Sequence, residues 1–126
     1  FLIRNIVGME PRIGALAVGE MLQEGQIVQF HLRDAQTSAD DLAALLGRYN
    51  QQMKGSNVSG ALLFSCLGRG TYLYGRPDHD TELFRTSIGD VPLGGFFCNG
   101  EIGPVGRTTY LHGYTSSFGI FRSKDK

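Results

Sequence analysis

The chain has 126 residues, 41% hydrophobic and 10% aromatic, the composition of one soluble globular domain with a modest core. Twelve basic and twelve acidic side chains cancel, and no like-charge run exceeds Asp40-Asp41, so nothing funnels phosphate backbones or anionic lipids, which excludes nucleic-acid and membrane partners. No apolar stretch approaches the ~20 residues of a membrane helix, and two cysteines without CxxC spacing exclude a zinc or redox motif of that kind and fit a reducing cytoplasm.

Phe1 to Val7 and Gly14 to Gly19 are short apolar runs joined by Gly8-Met9-Glu10-Pro11, which predicts a β-hairpin. The opening Phe1-Leu2-Ile3-Arg4 has no initiating methionine and no signal-peptide pattern, as expected of a piece cut from a longer chain. From Gln26 the pattern alternates, with Val28, Phe30 and Leu32 on one face and Gln29, His31 and Arg33 on the other, predicting a third strand whose polar row meets solvent or a partner domain.

Thr37 and Ser38 each stand three residues before an aspartate, so either can cap a helix. Leu42, Leu45, Leu46, Tyr49 and Met53 continue it at 3.6-residue spacing, and Gly55 is placed for a left-handed C-terminal cap. Ser59 to Cys66 reads as a strand buried on both faces, followed by the turn Leu67-Gly68-Arg69-Gly70. Asp78-His79-Asp80 caps a shorter helix carrying Leu83, Phe84 and Ile88, which Gly89 and Pro92 end. Gly94 to Asn99 is the next strand, a glycine loop runs from Gly100 to Gly106, and a long strand from Thr109 to Arg122 precedes a polar tail, residues 123–126. Three strands before the first helix argue against a doubly wound fold. The expected class is α+β, a mixed, largely antiparallel sheet with two helices in the order β-β-β-α-β-α-β-β.

Gly68 and Gly70 let backbone N–H groups approach an anion, and Arg69 between them offers a bidentate fork for a carboxylate, against the alternative of a tight turn with a solvated arginine. Gly68-x-Gly70 is not a dinucleotide fingerprint, because a third glycine would fall at Leu73. Asn99-Gly100-Glu101 follows another inner strand, so Glu101 either faces a ligand amine or sits in solvent on a glycine-shaped connection. Cys66 and Cys98 end two inner strands, where they line a pocket, sense oxidants or simply pack. His79 and Asp80 are metal-ligand types, but neighbours in sequence rarely converge on one ion, so capping or ligand contact is expected and no metal or cofactor is. His112 either lines a cleft with Tyr110 and Tyr114 or is a hydrogen-bonded surface histidine.

Three longer fragments, Phe64-Ser65-Cys66-Leu67-Gly68-Arg69-Gly70, Pro77-Asp78-His79-Asp80 and Gly95-Phe96-Phe97-Cys98-Asn99-Gly100-Glu101-Ile102-Gly103-Pro104-Val105-Gly106, resemble the C-terminal domain of the FIST family. Phe1 to Asn5, Val28 to His31 and Leu111 to Thr115 extend the likeness over nearly the whole chain, with residues 1–122 as the domain. Leu67 departs from the expected pattern, in which a polar residue precedes Gly-Arg-Gly. The resemblance implies a cytoplasmic sensory module of bacterial signalling proteins that binds a small ligand such as an amino acid or small carboxylate, with an N-terminal FIST domain upstream, a signalling partner and no catalysis. Its candidate ligand residues are Cys66, Gly68, Arg69, Gly70, His79, Asp80, Cys98, Asn99, Glu101 and His112. Two alternatives stand beside it: a protein interaction domain, and a cysteine hydrolase or transferase pairing Cys98 or Cys66 with His112 or His79, for which no nucleophile elbow is present.

Overall fold

The computed structural model describes residues 2–54 and 57–124. In chain order its elements are β1 (Ile6–Glu10), β2 (Ala15–Val18), α1 (Ala35–Gln52), β3 (Val58–Cys66), α2 (Thr71–Tyr74), α3 (His79–Ile88), β4 (Leu93–Cys98), β5 (Glu101–Val105), β6 (Thr108–His112) and β7 (Ser116–Arg122). The fold is α+β and largely antiparallel, as expected. Its central sheet has the order β4-β3-β7, with β3 parallel to β4 and antiparallel to β7, and β1–β2 and β5–β6 form separate antiparallel hairpins.

The core follows from two periodicities. Leu42 and Leu46 lie one turn apart on α1 and both are buried, while Ala61, Leu63 and Ser65 alternate along one face of β3. Phe84 of α3 is fully buried in the same cluster as Leu42, Leu46 and Ala61, and its ring stacks on Phe118 of β7 at 5.3 Å. Truncating such an aromatic costs about 3–5 kcal/mol, so Phe84 pins α3 to the sheet. That attachment fixes where the first turn of α3 falls, over the end of β3.

Several elements differ from the sequence reading. Residues 26–33 form no strand, although their alternation is that of one, because among the described residues no strand lies beside them to accept their ladder. The first hairpin turns at residues 11–14, later than expected, with Gly14 supplying the positive φ. Asp34, not Thr37 or Ser38, caps α1, its carboxylate accepting from the Thr37 backbone N–H at 2.9 Å. Gly55, the expected C-terminal cap, lies outside the described residues, as does Phe1; Met53 ends the helix, its N–H donating to the Tyr49 carbonyl. One turn of helix, α2, follows Gly70 where no helix was expected. The glycine loop from Gly100 is instead strand β5, which folds back on β6 through Gly106 and Arg107, Gly106 having φ of 63° as a two-residue hairpin demands. The long final strand is broken at Gly113–Thr115, where Tyr114 adopts a φ of 63°, so Tyr114 does not share a strand face with His112.

Candidate ligand-binding site

β3 and β4 end together, Cys66 opposite Cys98, and the chain leaves both ends through glycine-containing turns. Ser65, on the helix-facing side of β3, therefore sits beneath the start of α3. Its hydroxyl donates to Asp80 Oδ2 at 3.3 Å, and Ser116 Oγ on β7 donates to the same oxygen at 2.5 Å. Arg69 completes the arrangement as a fork, Nε to Asp80 Oδ2 at 2.7 Å and Nη2 to Asp80 Oδ1 at 3.1 Å. Its Nη2 also donates to the Tyr74 hydroxyl and its Nη1 to the Tyr114 carbonyl. The guanidinium and the carboxylate are 6% and 8% exposed.

Burial alone would raise the Asp80 pKa. The hydrogen bonds from Arg69, Ser116 and His79 outweigh it and hold the carboxyl at about 2. Burial alone would likewise lower the Arg69 pKa, and Asp80 reverses the sign. Tyr74, desolvated and beside the Asp80 charge, is pushed up to about 12, so it keeps its proton. Asp80 is thus ionised at neutral pH and fixes its neighbour: His79 Nδ1 lies 3.0 Å from Asp80 Oδ1, an acceptor that calls for a proton on Nδ1. The imidazole stacks on the Tyr74 ring with centroids 3.5 Å apart. Nε2 has no hydrogen-bond partner among the described residues.

His79 and Asp80 border a cleft of about 350 Å³ between the first turn of α3, the Gly70–Thr71 turn and the helix-facing side of β4. One wall is apolar, from Leu63, Leu93, Phe96, Phe97 and Pro77; the other carries Thr71, Asp78, His79, Asp80 and Thr81. The first backbone bond of α3 runs from Glu82 to Asp78, so the N–H groups of residues 79–81 have no intrahelical acceptor and the positive end of the helix dipole opens at this wall. Gly95 lets the floor of the cleft form: it pairs with Leu63 across the ladder at φ of 155°, where a side chain would collide with the Leu63 carbonyl and part the two strands. A second, wider depression of about 560 Å³ lies at the start of β3 around Ser59, Pro92 and Phe121, but among the described residues no charged side chain lines it.

Of the residues expected at a site, Gly70, His79 and Asp80 line the cleft. Arg69 does not: its fork is spent on Asp80, so it holds the wall from behind and offers a ligand no free donor pair. Glu101, 1% exposed, faces neither solvent nor cleft. Its Oε2 accepts from the Thr115 backbone N–H and hydroxyl, and its Oε1 from the Cys98 thiol at 3.4 Å. Cys66 and Cys98 are neighbours, as expected, but Cys66 is buried and burial together with Glu101 raises the Cys98 pKa. Gly68 lies outside the cleft, where its bare Cα admits the Tyr114 ring; a Cβ there would fall 2.9 Å from it. Asn99 is exposed on the bend after β4, and the His112 imidazole is engaged with the Gly103 carbonyl at 2.9 Å. Tyr74 and Ser116 escaped the sequence reading, and Ser65 and Thr115 entered it only within the fragments that carry the resemblance, since serine, threonine and tyrosine carry no spacing signal of their own. Among the described residues, no cluster of three or more His, Cys, Asp or Glu is placed to hold a metal.

The FIST C domain family model matches residues 1–104. The chain belongs to the FIST C family. FIST C domains are sensory units of signal-transduction proteins. This FIST C domain is 43% identical over 121 residues to an uncharacterized protein of Mycobacterium tuberculosis, covering 96% of this chain and 31% of the relative. It is 40% identical over 121 residues to an uncharacterized protein of Mycobacterium bovis, again 31% of that protein, and 31% identical over 91 residues to an F-box/LRR-repeat protein of Arabidopsis thaliana, where the match covers 70% of this chain and 17% of the relative. The chain therefore spans about a third of the length of its mycobacterial relatives. No solved structure gives a significant match. Among the described residues no helix is long and apolar enough to cross a membrane.

Proposed function

We propose that this FIST C domain is a cytoplasmic, non-catalytic sensory unit that takes a small organic ligand, an amino acid or small carboxylate, in the cleft between β4 and the start of α3. The observation that carries this reading is His79. Its ring is locked by Asp80 on one side and Tyr74 on the other, with Nε2 left without a partner at a half-apolar cleft. A ring fixed by its Nδ1 bond and its stack, with the other nitrogen unused by the described residues, is pre-organised for something outside it. The apolar wall suits the body of the ligand, and His79 with the free N–H groups of α3 suits its anionic end. A signalling partner and an upstream domain belong to the same reading, since the relatives are about three times as long as the matched segment.

A thermal-shift screen of the chain against amino acids and small carboxylates tests the site. Stabilisation that His79→Ala abolishes while the variant's own Tm stays close to the parent's supports it. Stabilisation that survives both His79→Ala and a blocking Thr71→Trp would move the ligand elsewhere.

The cysteine-enzyme alternative is disfavoured because the nearest partner of the Cys98 thiol is a carboxylate that opposes thiolate formation.

A further inference from the structure

Residues 5–32 form an arm that leaves the body and returns to it, and both ends of its base are fastened by arginines. At one end Arg4 donates to the Leu111 carbonyl at 3.0 Å, lies over the Tyr110 ring at 5.9 Å and pairs with Glu20 at 2.9 Å. At the other, Arg33 donates to the Gly68 carbonyl and lies 4.1 Å from the centre of the Tyr114 ring. Between these clasps β1 and β2 pack chiefly against each other, and residues 20–34 form neither helix nor strand. A lone two-stranded hairpin is marginal without a third strand or a packed face.

The arm is not a polar linker. Phe30 is 74% exposed, Met21 88% and Leu32 94%, and Val7, Met9 and Val28 are exposed with them. So many large apolar side chains exposed along one segment mark a place that something covers. The alternation of Val28, Phe30 and Leu32 is that of a strand with one buried face, so the missing cover is a sheet. The family match starts at residue 1, which makes the arm part of the FIST C unit. About two thirds of each mycobacterial relative lies outside the matched segment, tethered at an effective concentration that a free partner rarely reaches.

We infer that residues 26–32 dock as a strand on a sheet supplied by the polypeptide that flanks the FIST C unit in these longer proteins. The clasps at Arg4 and Arg33 aim the arm, so that docking reports directly on the Gly68–Arg69 turn behind the cleft.

Hydrogen exchange read by mass spectrometry, on the 126-residue chain and on the full-length M. tuberculosis relative, tests the assignment, with solution mass measured alongside. In the isolated chain, a monomer, the amides of residues 26–32 exchange within seconds. In the full-length relative the matching segment exchanges at least ~100-fold more slowly. Equally fast exchange in both proteins overturns the proposal. So does slow exchange in the isolated chain with the mass of a dimer, which would make a second copy the cover. The double variant Phe30→Asp/Leu32→Asp of the isolated chain keeps the parent's Tm; a clear fall would show the arm packed within the chain itself and would equally overturn it.

Discussion

Arg69 and Asp80 meet at two points, 2.7 Å and 3.1 Å, in a place where both side chains are buried. Removing one partner strands a buried charge. Arg69→Met is therefore expected to cost about 3–5 kcal/mol, whereas Arg69→Met/Asp80→Leu, which removes both charges, recovers most of that loss. Urea denaturation of the two variants checks it. A single-variant cost below about 1 kcal/mol would mean the pair is solvated in solution.

The same carboxylate sets an acid limit. The Asp80 pKa falls from an ordinary 3.8 to about 2 on folding, so the unfolded chain binds this proton more readily than the folded one. Stability from this group is then fully present above about pH 5 and is lost as pH drops through 2, with an amplitude on the order of 2 kcal/mol. Unfolding free energies of the parent and Asp80→Asn, measured between these limits, should converge as the pH falls. Parallel curves would show that Asp80 titrates normally.

The sequence made the periodic elements legible: Leu42 and Leu46 declare α1, and Phe84 with Gly89 declares α3 and its end. It also brought Arg69, His79 and Asp80 forward as chemistry-bearing residues. It could not say that Arg69 would turn toward Asp80 rather than toward a ligand. That choice depends on β3 and α3 meeting at Ser65, a contact between distant parts of the chain with no local signature. Glycine misled in the other direction: Gly100, Gly103 and Gly106 read as a loop, yet residues 101–105 pair as a strand and only Gly106 takes the turn conformation. Residues 26–33 show the converse limit, a strand pattern whose realisation needs a neighbour.

Cys98 offers a test of the electrostatics at the second buried cluster. Burial and the adjacent Glu101 raise its pKa, so iodoacetamide at neutral pH should label it more slowly than a free cysteine. Glu101→Gln keeps an acceptor for Thr115 but removes the charge. The midpoint of the alkylation pH profile should then fall and the rate near pH 7.5 should rise several-fold, with the circular dichroism spectrum unchanged. A profile that does not move would remove Glu101 as a determinant of this thiol.

Two glycines of opposite meaning separate a structural requirement from mere permissiveness. At Gly95, a Cβ would lie 1.9 Å from the Leu63 carbonyl oxygen and the φ of 155° is one that L side chains rarely adopt, so Gly95→Ala must part β3 from β4. A loss of at least ~3 kcal/mol, or failure to fold, is expected from overpacking of that kind. Gly47 lies inside α1 with nothing within 4 Å of the added methyl. There alanine relieves the cost of glycine in a helix, and Gly47→Ala should stabilise the chain by about 0.5–1 kcal/mol. Thermal or urea unfolding of the two variants reads both signs. If Gly95→Ala were tolerated, β3 and β4 would not be paired in this register, and the cleft they frame with α3 would need to be redrawn.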